Sequence, residues 1–143
     1  MQEKDTEELE EELAAARDVR EYFAENAGEL VDRTLAEHLA LLLAEKKLTR
    51  SLVAERSGLD RTYVYHIFSG EKPHPSREKI LALALAMALT PDEAQHLLYY
   101  ARQPRLYARS VWDGIVYHAL ERHAGVIETN ALIAELHAGA LLE

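Results

Sequence analysis

Residues 58–70, GLDRTYVYHIFSG, place Arg61, Thr62, Tyr63, Tyr65 and His66 in one short stretch closed by a glycine. Together they offer a fixed cation, hydroxyl donors and acceptors, aromatic faces and an imidazole, which suits gripping a polar partner better than breaking a bond. Elsewhere the groups that do catalysis are missing. No glycine-rich phosphate loop is present and no serine lies in a nucleophile elbow, so no enzyme activity is expected. The seven histidines (His38, His66, His74, His96, His118, His123, His137) include no pair at ligand spacing backed by carboxylates. His118 and His123, five apart, sit poorly for one helical face, so neither a metal nor another cofactor is expected. There is no cysteine, hence no disulfide framework and no thiolate site, and a reducing compartment, the cytoplasm, is the expected location.

The elements that must carry that stretch are helical throughout. Leu, Ala and Glu dominate the 143 residues, glycine and proline are few, and β-branched residues are sparse. This length holds one domain with appendages. A thin stripe of Leu9, Leu13, Ala16, Val19 or Arg20, and Phe23 predicts one helix from Thr6 to about Glu25, stopped by Asn26-Ala27-Gly28. Thr34-Leu35-Ala36-Glu37 is a capping-box pattern that opens a helix to Lys46 or Lys47. Thr49 caps a helix over 50–56, Gly58 ends it, and Asp60 caps another over 61–68. Two short helices joined by a glycine-containing turn form a helix-turn-helix unit. After Pro73 and Pro75, Ser76 starts a helix whose ILALALAMAL run is apolar nearly all round and therefore central. Thr90-Pro91-Asp92-Glu93 combines cap, proline, dipole acid and capping-box glutamate, and that helix ends before Pro104. The tail predicts two more helices, about 109–123 and 126–138. Residues 80–107 and 115–142 match without gaps at an offset of 35, which reads either as two amphipathic hairpins of equal length or as an internal repeat.

Charge is unevenly placed. Residues 1–32 hold twelve acidic side chains against three basic ones, which accounts for the whole net charge of −9. Residues 45–80 carry +3. The first residues, MQEKDTEELEEEL, lack the apolar core of a signal peptide, and no run of about 18 apolar residues predicts a membrane span. The acidic end serves solubility, or lies over the basic window, or docks a protein partner.

The stretch TRSLVAERSGLDRTYVYHIFSGEKPHPSREKILALALAMALTPDEA, residues 49–94, resembles the helix-turn-helix of phage repressors of the lambda repressor and Cro kind and of bacterial Xre-type regulators. Ala54 stands where that family needs a small side chain, Gly58 where its turn needs positive φ, and Val53, Leu59, Val64 and Ile67 where the unit is buried. Ser57 departs from the pattern at a position more often apolar. The resemblance covers about residues 33–103. It implies an all-α fold with a lambda-repressor-like core (33–103), an acidic N-terminal helical extension (1–32) and a C-terminal helical hairpin packed on the core (104–143).

The resemblance also implies roles. Arg61, Thr62, Tyr65 and His66 align with positions that read base edges in the major groove, Arg61 suiting a bidentate contact to guanine. Thr49, Arg50, Ser69, Lys72 and Arg77 align with positions that hold phosphates. The aromatic residues and the histidine have plainer alternatives: Tyr63 packs inside, Tyr65 is equally read as half-buried packing, and His66 as an exposed polar residue. The implied partner is double-stranded DNA, bound by a homodimer joined through residues 104–143 or the N-terminal helix, in a transcriptional regulator. The rival is an interaction module, antitoxin-like or an adaptor, that keeps this fold without DNA.

Overall fold

The computed structural model describes residues 4–30, 32–136 and 138–143. Glu3 of the acidic count, and His137, which falls within the helix predicted over 126–138, lie outside the described residues. Helices α1 to α9 make up the regular structure, with no strand among the described residues. None of the helices is long and apolar enough to cross a membrane. The chain divides into two compact units, residues 1–32 and 33–143.

In the first unit the single helix predicted from Thr6 to Glu25 is two: α1 (Thr6–Ala15) and α2 (Val19–Glu25). The break has a local cause. The Asp18 carboxylate accepts from the Arg20 backbone N–H at 2.9 Å and so starts a new helix in competition with the old one. The thin apolar stripe buries nothing in α1, and Leu13, Val19 and Phe23 are all close to half exposed. Polar bonds close this unit instead. Lys4 Nζ reaches Glu12 and Asn26 at 2.7 Å each, and Asn26 Nδ2 donates to Glu12 at 2.9 Å.

The second unit starts at α3 (Leu35–Lys46), where Thr34 and Glu37 form the expected capping box. It continues through α4 (Arg50–Ser57), α5 (Arg61–Ser69), α6 (Arg77–Ala86), α7 (Pro91–Tyr100), α8 (Val111–Glu121) and α9 (Val126–Glu135). The last helix stops short of the predicted 138. Every residue of α6 from Ile80 to Ala86 is buried, because α4, α7, α8 and α9 all pack on it. That explains why its sequence shows no polar face. Ion pairs tie helices around this spine: Lys46 on α3 to Glu93 on α7 at 2.9 Å, and Arg77 on α6 to Asp113 on α8 at 2.8 Å.

The offset of 35 reappears in the backbone. Helices α7 and α9 coincide at that spacing, as do the left-handed residues Ala88 (φ 53°) and His123 (φ 54°). Each closes its helix with the same long-reach bond, Leu89 N–H to Ala84 O at 3.1 Å and Ala124 N–H to Ala119 O at 2.9 Å. The final segment folds back: Trp112 Nε1 donates to Ala140 O at 2.7 Å, and Asn130 accepts from Leu142 N–H at 2.8 Å.

Candidate nucleic-acid interface

Helices α4 and α5 are joined by Gly58, Leu59 and Asp60. Gly58 holds φ 72°, a left-handed conformation that a Cβ would strain. Thr49 caps α4 by accepting from Leu52 N–H at 3.1 Å, and Asp60 caps α5 by accepting from Tyr63 N–H at 3.0 Å. Ala54 is buried within the hydrophobic core, on a helix that packs against both α5 and α6. Ser57, also buried, replaces an apolar contact by donating to Ala54 O at 2.8 Å and accepting from Leu59 N–H at 3.2 Å, so its hydroxyl locks the turn.

One face of α5 is committed to the core: Val64, Ile67 and Phe68 are buried. At 100° per residue the opposite stripe is Arg61, Thr62, Tyr65, His66 and Ser69. Arg61, Thr62 and Ser69 are exposed, and Tyr65 and His66 are half-buried. Nη2 of Arg61 donates to Ser51 Oγ at 3.0 Å and to the Tyr65 hydroxyl at 3.1 Å. The Tyr65 ring lies 5.1 Å from the guanidinium carbon of Arg50 and 5.4 Å from that of Arg61. The hydrogen bond from Arg61 holds the Tyr65 hydroxyl below its ordinary pKa. The first residues of α4 and α5 are thereby joined across the outer surface through one aromatic ring.

His66 Nε2 stands 3.4 Å from Glu71. Ser69 donates to His66 O at 3.1 Å, and Lys72 N–H closes onto the same carbonyl at 3.0 Å, so the α5–α6 connection is braced against the end of α5. Thr49, Arg50 and Lys72 are exposed beside this stripe. Tyr63 is half-buried, with Lys79 Nζ 5.3 Å from its ring.

Arg77, expected among the phosphate-holding residues, is bonded within the protein. Its Nε donates to Pro104 O, Nη1 to Asp113, and Nη2 to both Arg105 O and Asp113, all at 2.8–2.9 Å. The side chain is 18 % exposed, so its fork is used inside the protein. Its partner stands 36 residues downstream, outside the reach of any local pattern. Ser51 was missed altogether. Its place one residue after the α4 start, facing the α5 start, was the available signal. Among the described residues no group of His, Cys, Asp or Glu is placed to hold a metal ion.

The described residues are all-helical, and α4 and α5 are two short capped helices joined by a glycine-containing turn, the second exposed and polar on one face. Residues 34–97 match the family described as "Helix-turn-helix domain". Neither a curated protein nor a solved structure matched the chain.

Proposed function

We propose that this chain is a sequence-specific double-stranded DNA-binding transcriptional regulator that lays α5 in the major groove. The observation that carries this reading is the outward Arg61, held by Ser51 and Tyr65 at the N-terminal end of α5. The guanidinium fixed there keeps Nε and Nη1 available to donate to the acceptors of a guanine edge, while Thr62 and His66 stand beside it on the same stripe. Thr49, Arg50, Ser69 and Lys72 flank the stripe and serve the phosphates. The match to a helix-turn-helix domain and the +3 carried by residues 45–80 support the same reading. The −9 is carried by residues 1–32, which α4 and α5 do not include. The protein acts in the cytoplasm as a homodimer, since one such module binds too few bases for selective recognition.

The test is selection of bound sequences from a random duplex pool. A palindrome with half-sites about one helical turn apart is expected. Failure to enrich any sequence, with retention that does not change with salt, would leave the interaction-module alternative standing, in which the acidic segment meets a protein partner.

A further inference from the structure

Between Glu93 and Asp113 the chain has no acidic residue, yet it holds Arg102, Arg105 and Arg109. All three are exposed, and their guanidinium groups make no hydrogen bond or ion pair among the described residues. Tyr99 and Tyr107 stand in the same segment, 72 % and 60 % exposed. The Asp113 carboxylate cannot neutralise this charge, because it is spent on Arg77 and on the Tyr107 N–H at 2.8 Å.

The segment is nonetheless firmly held. Arg77 fastens the carbonyls of Pro104 and Arg105, Gln103 Nε2 donates to Pro75 O at 3.1 Å, and Gln95 accepts from Leu106 N–H at 2.8 Å. These bonds also fix where it lies. Pro75 and Arg77 end the α5–α6 connection, which carries the exposed Lys72 and His74 at the edge of the candidate interface. From Lys72 to Pro75 the chain spans at most about 11 Å. The arginine segment is thereby anchored to the end of the connection that carries Lys72.

We propose that Arg102, Arg105 and Arg109 form a second duplex-binding surface, which grips the phosphate backbone flanking the bases read by α5. This rests on the DNA-binding reading above. Arginines spaced three and four apart on an irregular loop have no helix to insert into a groove, so they suit phosphates, and the tyrosine hydroxyls add donors of the kind that contact phosphate oxygens. Arg77 is then a positioning residue: it holds the loop that carries the phosphate ligands and touches no phosphate itself.

The experiment is fluorescence anisotropy of the full chain on a labelled random-sequence duplex, titrated from about 50 to about 200 mM salt. Replacing the three arginines together, R102Q/R105Q/R109Q, is expected to reduce the slope of log affinity against log salt by about 2–3, since each neutralised phosphate contributes about 0.9. The three lysine replacements are expected to restore the slope, and discrimination between duplexes differing at one base to stay as in the wild type. A wild-type slope in the glutamine variant, with a wild-type melting temperature, overturns the proposal, as does failure of the lysine variant to recover. Arg61→Ala separates the two readings: if it abolishes base discrimination while the glutamine variant changes nothing, DNA reading by α5 stands and this surface falls. A wild-type chain that binds no duplex removes both.

Discussion

Nη2 of Arg61 donates to the Tyr65 hydroxyl at 3.1 Å, one turn along the same helix, and Ser51 on the preceding helix accepts from the same nitrogen at 3.0 Å. Two acceptors on one nitrogen restrict the guanidinium to few orientations before any partner arrives. Preorganisation of this kind lowers the entropy lost when the remaining donors, on Nε and Nη1, meet an acceptor.

Tyr65→Phe keeps the ring beside Arg50 and Arg61 but removes the acceptor. We expect a loss of about 1 kcal/mol, confined to the base pair facing Arg61, with the salt dependence unchanged. Competition among duplexes that differ at single positions checks it. Equal preference in wild type and the Tyr65→Phe/Ser51→Ala double variant would show that Arg61 needs no support.

Gly58→Ala tests the turn that sets α4 against α5. No atom lies within 4 Å of the added Cβ, so the cost comes from the backbone at φ 72° alone. About 1–2 kcal/mol is expected in chemical denaturation, with the folded variant still competent to bind. A loss near zero would mean that the turn relaxes to another conformation.

The helix starts were legible in the sequence because capping is local: Thr34 with Glu37 and Thr90 with Glu93 each sit three residues apart and form the boxes that their types predict. The apolar run of α6 likewise announced a buried spine. The break at Asp18 was hidden because a weak stripe of apolar residues runs through it, and only the side-chain bond to Arg20 N–H decides against continuation. The candidate interface divides along the same line. Exposure of Arg61 and Thr62 follows from the burial of Val64, Ile67 and Phe68 one face away. The commitments of Arg77 to Asp113 and of Arg61 to Ser51 depend on tertiary approach, which no periodicity encodes.

The Arg77–Asp113 pair is largely enclosed, with side chains 18 % and 9 % exposed. Asp113→Asn leaves a guanidinium half-satisfied, and a cost of about 3 kcal/mol is expected by denaturant titration. Burial pushes the Asp113 carboxyl up, but the bonds from Arg77 and Tyr107 N–H outweigh it and hold the group below the usual carboxylate value. Its contribution is therefore complete above the unfolded carboxylate pKa of about 4 and is lost as pH falls through the lower folded value. The Asn variant should lack that acid-dependent part, and an identical acid profile in both proteins would contradict the pairing.

His38 gives a second, separable pH dependence. Its ring stacks on Tyr100 with centroids 4.2 Å apart, and Arg33 Nη1 lies 3.2 Å from Nδ1, where it donates to a neutral imidazole. Burial, then the charges of Arg33 and His96, lower its pKa from the ordinary 6.5 to about 4. Between those values the unfolded chain binds more protons than the folded one, so stability is full above about pH 6.5 and falls as pH drops toward 4. From pH 7 to pH 5 the loss attributable to this group is at most about 2 kcal/mol. His38→Phe retains a ring against Tyr100 and has no proton to take up, so its unfolding free energy should decline less over that interval. Parallel pH profiles for the two proteins would mean that His38 titrates normally and that the stacked, neutral ring does not persist in solution.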